Sequence, residues 1–365
     1  MEEPAVLDPA DLRPEVRESL RHWLAVQHVF ALRPREGTER LRATGGARAA
    51  LAASGRTPLA AAVLDPAVAR LRACGAVAVP QLSPAFPARL VRLDDPPILL
   101  HVRGEIAALH GPCVAVVGSR APSASGRIVA EHFAAEFARA GAVIVSGLAT
   151  GIDGVAHRAA LAAGGKTVAV QACGPDLVYP HRHRELADRI AASGAVVTEF
   201  PPGTPPRREH FPFRNRLISA LSLAVLVVEA RARSGSLVTA RHAADQGVDV
   251  WAVPGPLGAP TSEGTNRLLR DGAYVALEPV DLLRPLGLSP PEARRSRREP
   301  AIPPRHRAVL AALQDAPATL DELCLRLGAA PEILAQGVLE LELAGTIALD
   351  RDGRLRIVRP ERGGL

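Results

Sequence analysis

The sequence predicts an α/β protein: a doubly wound parallel sheet, preceded by a helical region and followed by a winged helix. Three observations predict it. Six short Val-rich runs recur through the middle of the chain, separated by helical stretches. Several of these runs end at a Gly- or Ser-rich corner. The last stretch of about 60 residues reads as three helices and a hairpin.

Residues 1–75 read as helical. Apolar residues recur at helical spacing from Glu15 to Phe30, and an Ala- and Arg-rich stretch from Leu41 to Ala53 is broken at Gly45-Gly46. Such a region either binds nucleic acid or packs on its neighbour, and packing is the simpler reading.

Residues 76–286 form the α/β region. The spacing predicts strands at Val114–Val117, Val143–Ser146, Val168–Gln171, Val196–Glu199, Val225–Glu229 and Val250–Val253. Helices are predicted near 125–139, 152–163, 183–192, 213–221 and 236–246. The stretch from Phe86 to Gly104 supplies one further strand. In an open parallel sheet, ligands bind outside the carboxyl ends of the strands. The corners there read Gly118-Ser119-Arg120, Ser146-Gly147-Leu148, Glu229 followed by Ser234-Gly235-Ser236, and Val253-Pro-Gly255. Small side chains and helix N-termini suit such a crevice to phosphates.

Residues 287–304, with five Pro residues and Arg294, Arg295, Arg297 and Arg298, read as a basic Pro-rich linker. Residues 305–365 read as a winged helix: helices at 305–314, 319–327 and 331–344, then strands Thr346–Asp350 and Arg354–Val358 around Asp352-Gly353. Its third helix carries Glu332, Glu340 and Glu342 and no Arg or Lys, which argues against reading bases in a major groove and hence against a sequence-specific repressor. The wing carries Arg351, Arg354 and Arg356.

Composition narrows the function. The chain has 365 residues, 47% of them apolar but only 3% aromatic, so Ala, Val and Leu must fill the core. The formal net charge is +6, a pull toward polyanions. Lys166 is the single lysine among 44 basic residues, so a bias toward Arg also contributes to that charge. Cys74, Cys113, Cys173 and Cys324 form no Cys-x-x-Cys pair, which argues against a zinc site and fits a reducing compartment. The N-terminus is acidic and Pro-rich, unlike a signal peptide, and no apolar run reaches membrane-spanning length. A cytoplasmic protein without membrane insertion is the expectation.

The crevice lacks familiar cofactor signatures. After Gly118 the next glycine is Gly126, and the second strand ends at Ser146-Gly147 without a ribose-binding acid, so dinucleotide binding is not expected. Gly164-Gly-Lys-Thr167 lacks the upstream glycine of a P-loop and follows a helix instead of opening one. Asp153 and His157, four apart on one helix face, form either an acid–base or metal pair or, more simply, a hydrogen-bonding pair that shapes the corner. His181-Arg182-His183, next to Arg184, reads as a metal pair, a cationic patch or a solvated helix start. No cofactor, metal or catalytic residue is expected.

One loop stands apart. Arg207-Arg208-Glu-His-Phe211-Pro-Phe213-Arg214-Asn215-Arg216 interleaves four Arg with two of the chain's seven Phe. Guanidinium groups that hold phosphates and rings that stack on unpaired bases are the chemistry of single-stranded nucleic acid. Phe211 reads as a stacking ring, with a core plug as the alternative, and Phe213 reads as core. At least one of Arg214 and Arg216 is expected to pair internally with Glu199 or Glu229.

These motifs, in order, resemble the DNA-processing protein A (DprA/Smf) family. They are Phe86-Pro-Ala-Arg-Leu90 with Asp95-Pro-Pro97, Val117-Gly-Ser-Arg120, Ser146-Gly-Leu-Ala149, Gly151-Ile-Asp153, Ala156-His157, Gly164-Gly-Lys-Thr167 and Tyr179-Pro180. Phe211-Pro212, Arg214-Asn-Arg216, Val228-Glu-Ala230, Ser234-Gly-Ser-Leu237, Ala252-Val-Pro-Gly255, Gly264-Thr-Asn266 and Asp271-Gly-Ala273 complete the series. The resemblance implies an extended Rossmann core binding single-stranded DNA, with a SAM or helix-hairpin-helix-like domain before it. It also implies a homodimer that protects incoming DNA and delivers it to RecA recombinase in natural transformation. By position it implies phosphate contacts at Arg120 and Arg208, a base-stacking ring at Phe211, and a third basic contact after Tyr179-Pro180. That last position holds His181, with Arg182 and Arg184 beside it. His183 stands where the family usually has Asn, and Val248 where it usually has Arg. The expected DNA-binding set is Gly118, Ser119, Arg120, Arg182, Arg184, Arg208, Phe211, Arg214, Asn215, Arg216, Ser234, Gly235 and Ser236. The competing reading is an enzyme acting on a small nucleotide or phosphosugar in the same crevice, and fold alone does not separate the two.

Overall fold

The computed structural model describes residues 5–11, 13–31, 33–55, 60–289, 304–343, 346–350 and 352–357. The chain divides into two units, Met1–Pro291 and Glu292–Leu365.

Nine strands form the sheet of the first unit: β1 (Val77–Pro80), β2 (Leu99–Gly104), β3 (Cys113–Val117), β4 (Val143–Ser146), β5 (Thr167–Val170), β6 (Ala195–Thr198), β7 (Ala224–Val227), β8 (Asp249–Ala252) and β9 (Tyr274–Val275). Their order is β1-β2-β6-β5-β4-β3-β7-β8-β9. The strands from β6 to β9 in that order pair in parallel, whereas β1 and β2 extend the sheet antiparallel beyond β6. All six strands expected of the core are present, with ends displaced by one or two residues.

The topology positions the site. From β3 the chain steps outward through β4, β5 and β6, then returns to lay β7 on the other side of β3. The loops leaving β3 and β7 therefore diverge, and a crevice opens at the carboxyl ends between them.

Val-rich strands form here because both sheet faces are covered. In β3, Val114 and Val116 pack toward α6 (Ala124–Arg139) and α7 (Ile152–Ala162), where Phe133 and Phe137 meet edge to face at 5.7 Å. Cys113, Ala115 and Val117 pack on the other face with Leu217, Ile218 and Leu221 of α9 (His210–Leu221) and Ala240 and Ala243 of α10 (Gly235–Asp245). A β-strand sends alternate side chains to opposite faces, so one apolar run serves two layers. Helix α8 (Arg184–Ser193) lies between β5 and β6 in sequence, and α11 (Glu263–Arg270) and α12 (Pro279–Leu283) flank β9.

The N-terminal helices are α1 (Pro14–Val29), α2 (Pro34–Thr44), α3 (Ala47–Ala53) and α4 (Ala61–Cys74), followed by the short α5 (Ala88–Val91). Helix α2 ends at Gly45 in a left-handed C-cap, which breaks the helical run at that point. Trp23, Phe30 and Leu41 form a core that runs on to Ala78 of β1 and Leu99 of β2. Leu7 also bridges to Ala78. The helices thus cover the antiparallel end of the sheet.

The second unit contains α13 (Pro304–Asp315), α14 (Leu320–Leu327) and α15 (Pro331–Leu343), then the antiparallel pair β10 (Ile347–Leu349) and β11 (Leu355–Ile357). Val309, Leu313, Leu323, Val338, Ile347 and Leu355 fill its core. A capping box between Thr319 and Glu322 starts α14. Most of the expected linker, with Arg294, Arg295, Arg297 and Arg298, lies outside the described residues, as does Arg351.

Candidate nucleic-acid interface

The crevice at the β3–β7 switch is a cleft of about 720 Å³. Its floor is the Gly118-Ser119-Arg120 corner. A Cβ on Gly118 would stand 2.7 Å from Ile152 Cγ1 and 3.0 Å from the Glu229 carbonyl oxygen, so only glycine lets this corner pack between α7 and the end of β7. Glu229 is not an arginine partner. Its carboxylate accepts from the Ser123 hydroxyl and, at 3.0 Å, from the Ser123 backbone N–H, which holds the start of α6.

The second corner is held from beneath. Asp153 accepts from the backbone N–H groups of Gly147 (3.1 Å) and Ala149 (3.3 Å). Arg214 is 3% exposed and donates to the carbonyl oxygens of Gly147 (2.8 Å) and Val170. Burial pushes the Asp153 carboxyl above its usual range and draws the Arg214 guanidinium down to about 10, and each charge opposes the other's shift. Asp153 and His157 do not act as a pair. His157 lies fully buried, with Nδ1 2.7 Å from the Thr167 hydroxyl, whose own proton goes to the Ile144 carbonyl. Burial lowers its pKa to about 3, so the ring is neutral.

The Arg–Phe segment supplies the rim. The expected loop ends earlier than its composition suggests: α9 begins at His210, so Phe211 sits in the first helical turn. Pro212 is tolerated there because the N–H groups of a first turn have no intrahelical partner. Phe211 is half-buried and lines the cleft. The Arg120 guanidinium lies 5.1 Å from its ring centroid, and the Tyr179 ring meets it edge-on at 5.6 Å. Phe213 packs elsewhere, under the Arg216 guanidinium at 4.1 Å.

Four arginines, Arg120, Arg208, Arg231 and Arg233, stand exposed on the cleft walls, and among the described residues none of them has an ion-pair partner. Arg231 and Arg233 were not anticipated from the sequence. Their placement either side of Ala232, just past the carboxyl end of β7, is the signal that locates them. Nor does the sequence assign Tyr179 a role beyond its place in the Tyr179-Pro180 motif. The opposite wall is the start of α10, where the Ser234 hydroxyl accepts from the Ser236 backbone N–H at 3.3 Å. Gly235 is exposed, with open space where a Cβ would be. Asn215 Nδ2 donates to the Gly235 carbonyl at 3.2 Å and so ties α9 to that wall.

Four expected contacts are placed differently. Arg216 does not line the cleft: its side chain is 4% exposed and pairs with Glu199 (2.6 Å) and Asp95 (2.9 Å). Arg182 and Arg184 do not line it either. The run His181–Arg184 turns about His183, which is buried and donates from Nδ1 to the Leu148 carbonyl at 2.9 Å. Arg182 and Arg184 on either side of it are exposed. Arg214 lines the cleft, but its guanidinium is bound to backbone carbonyls.

In the second unit, Arg354 of the wing is engaged by Glu322 at 2.9 Å, and Glu340 of α15 pairs with His306 at 2.8 Å. Among the described residues there is no metal-binding cluster, and no helix is long and apolar enough to cross a membrane.

The chain is a Rossmann-like α/β protein with an open, arginine-walled cleft at its switch point, a place where such sheets take ligands and a charge that suits polyanions. A family model described as DNA recombination-mediator protein A matches residues 78–287, and one described as the DprA winged helix domain matches residues 290–353. Protein Smf of Escherichia coli K12 is 43% identical over 290 residues, 77% of each chain. DNA processing protein DprA of Bacillus subtilis is 41% identical over 220 residues, 60% of this chain and 74% of that one. The crystal structure of DprA from Streptococcus pneumoniae superposes with a TM-score of 0.55 at 42% identity, covering 57% of this chain and 73% of that one. A structure of DNA processing protein A from Helicobacter pylori, described for its single-stranded DNA binding mode, superposes with a TM-score of 0.52 at 33% identity, covering 55% and 92%. The chain belongs to the DprA/Smf family.

Proposed function

We propose that this protein binds single-stranded DNA in the β3–β7 cleft, without catalysis, and acts in DNA processing for transformation and recombination. The observation that carries the reading is the half-buried Phe211 ring, flanked by Arg120 and Tyr179 among exposed arginines that have no ion-pair partner among the described residues. A ring among cations suits unpaired bases on a phosphate chain, because base stacking is tolerant of sequence and a duplex keeps its bases inside. In this reading Arg120 and Arg208 hold phosphates and Phe211 stacks on a base. Arg231, Arg233 and the Ser234-Gly235-Ser236 helix start carry the backbone across the opposite wall. The single-stranded DNA binding mode described for the Helicobacter pylori relative supports it.

The finer role extends this reading. A cytoplasmic homodimer would present two clefts to one strand, raise effective concentration, protect the strand and hand it to RecA recombinase. The winged helix is an accessory module in this account, since Arg354 is already engaged within it. The test is a RecA filament-assembly assay on strands coated with single-strand-binding protein. Acceleration by the protein is expected. No acceleration with strand binding intact would reduce the role to binding, and nucleotide turnover lost on Arg120→Ala would favour the enzyme reading.

A further inference from the structure

Two side chains of the N-terminal helices reach loops that carry the cleft. Gln27 of α1 is 4% exposed; its Nε2 donates to the Glu199 carbonyl at 2.8 Å, and its Oε1 lies 3.1 Å from Nε2 of the fully buried His101. Burial keeps His101 neutral, with its pKa lowered to about 3, so Nε2 donates to Gln27. Arg70 of α4 pairs with Asp176 at 3.0 Å, and the same carboxylate accepts from the Gly203 backbone N–H at 2.7 Å.

Each contact lies a short way along the chain from a cleft residue. Asp176 precedes Tyr179 by three residues, and Gly203 precedes Arg208 by five. The Glu199 carboxylate binds Arg216 of α9, the helix whose first turn bears Phe211. Among the described residues, none from α1–α4 lines the cleft, so these polar contacts reach it indirectly, through the loops. A loop ordered before the ligand arrives costs less to order on binding. A buried amide with two partners fixes a backbone more firmly than an exposed pair, because leaving either partner unsatisfied carries a desolvation cost.

We propose that Gln27 and Arg70 are positioning residues for the cleft, and that the N-terminal helices hold the β5–α8 and β6–α9 loops in the geometry that binds single strands. The proposal rests on the assignment of single-strand binding to the cleft.

The test is anisotropy of a fluorescein-labelled oligodeoxythymidylate titrated with the full chain at several salt concentrations, alongside thermal unfolding. Gln27→Leu and Arg70→Ala should each weaken binding by roughly 2- to 30-fold without changing the salt slope. Arg70→Lys should recover most of the loss, since an ammonium still reaches Asp176. Arg72→Ala, which removes a charge from the same helix, should bind as the parent does. Both effects should shrink in a Phe211→Ala background, because they act through placement of that ring. Undiminished affinity in the folded variants, or equal losses in both backgrounds, overturns the proposal. If Gln27→Leu does not fold, the exposed Arg70 carries the same cycle alone. If Arg120→Ala and Phe211→Ala also bind fully, the cleft assignment itself fails; if they alone weaken binding, the cleft stands and the bracing does not.

Discussion

The Arg120 guanidinium stands 5.1 Å from the centroid of the Phe211 ring. The two residues come from separate corners of the parallel sheet: Arg120 follows β3, its central strand, and Phe211 opens α9 after β6, three strands away. Tyr179, from the corner after β5, meets the same ring. Three loops thus converge on one ring, where the cation–π contact and the edge-on tyrosine fix its plane.

Phe211→Ala should therefore lower single-strand affinity by about 1–3 kcal/mol and leave the salt slope unchanged, since no phosphate contact is lost. Arg120→Ala and Arg208→Ala should weaken binding to all sequences and flatten that slope by about one unit each. Titrations at four or more salt concentrations separate the two classes. A fall in thermal stability with full affinity in Phe211→Ala would make the ring a core residue.

Arg216 behaves in the opposite way. Its pairing with Glu199 is buried, while Asp95 is partly exposed, so Arg216→Leu should leave the buried Glu199 carboxylate unpaired and cost about 3–5 kcal/mol of stability. Urea unfolding measures the loss. Arg216→Lys should recover only part, because an ammonium cannot bridge two carboxylates with the planar fork of a guanidinium.

Stability should fall with acid through His101 and His157. Each has a folded pKa of about 3 against 6.5 for the free side chain. The unfolded chain binds the extra proton first, so their contribution is complete above pH 6.5 and declines as pH falls toward 3. Asp153 and Glu199, whose pKa values burial raises, act with the opposite sign: their contribution is complete below the ordinary carboxylate range and is lost as pH rises through it. The two pairs pull the slope in opposite directions, so the histidine share is read by substitution. His157→Gln should lower that share by up to about 1.4 kcal/mol per pH unit, read from urea midpoints between about pH 5 and 6.5. An unchanged slope would show that His157 titrates freely.

The core was legible because Val runs buried on both faces need no distant information: β3 to β8 and the corners at Gly118 and Gly147 follow from local pattern. β1 was not legible. It is four residues long, ends in Pro80, and exists only because Leu99–Val102 lies beside it. The arginines divide for the same reason. Arg216 pairs with Asp95, 121 residues away, and Arg182 and Arg184 stay exposed beside the buried His183. Residue type marks a cation, but only the fold decides whether it meets a carboxylate or the solvent. Arg231 and Arg233 show the converse, two ordinary-looking charges that topology brings to the cleft wall.

Single-strand binding in the cleft is tested most directly by one competition titration. A labelled single strand bound to the full chain is challenged with unlabelled single strand, duplex of the same sequence, and mononucleotide, at moderate salt. Single strand of any sequence should displace the label efficiently, duplex less well and mononucleotide almost not at all, with Phe211→Ala narrowing the gap between single strand and duplex. Equal displacement by duplex and single strand, or displacement by mononucleotide at comparable concentration, would contradict it.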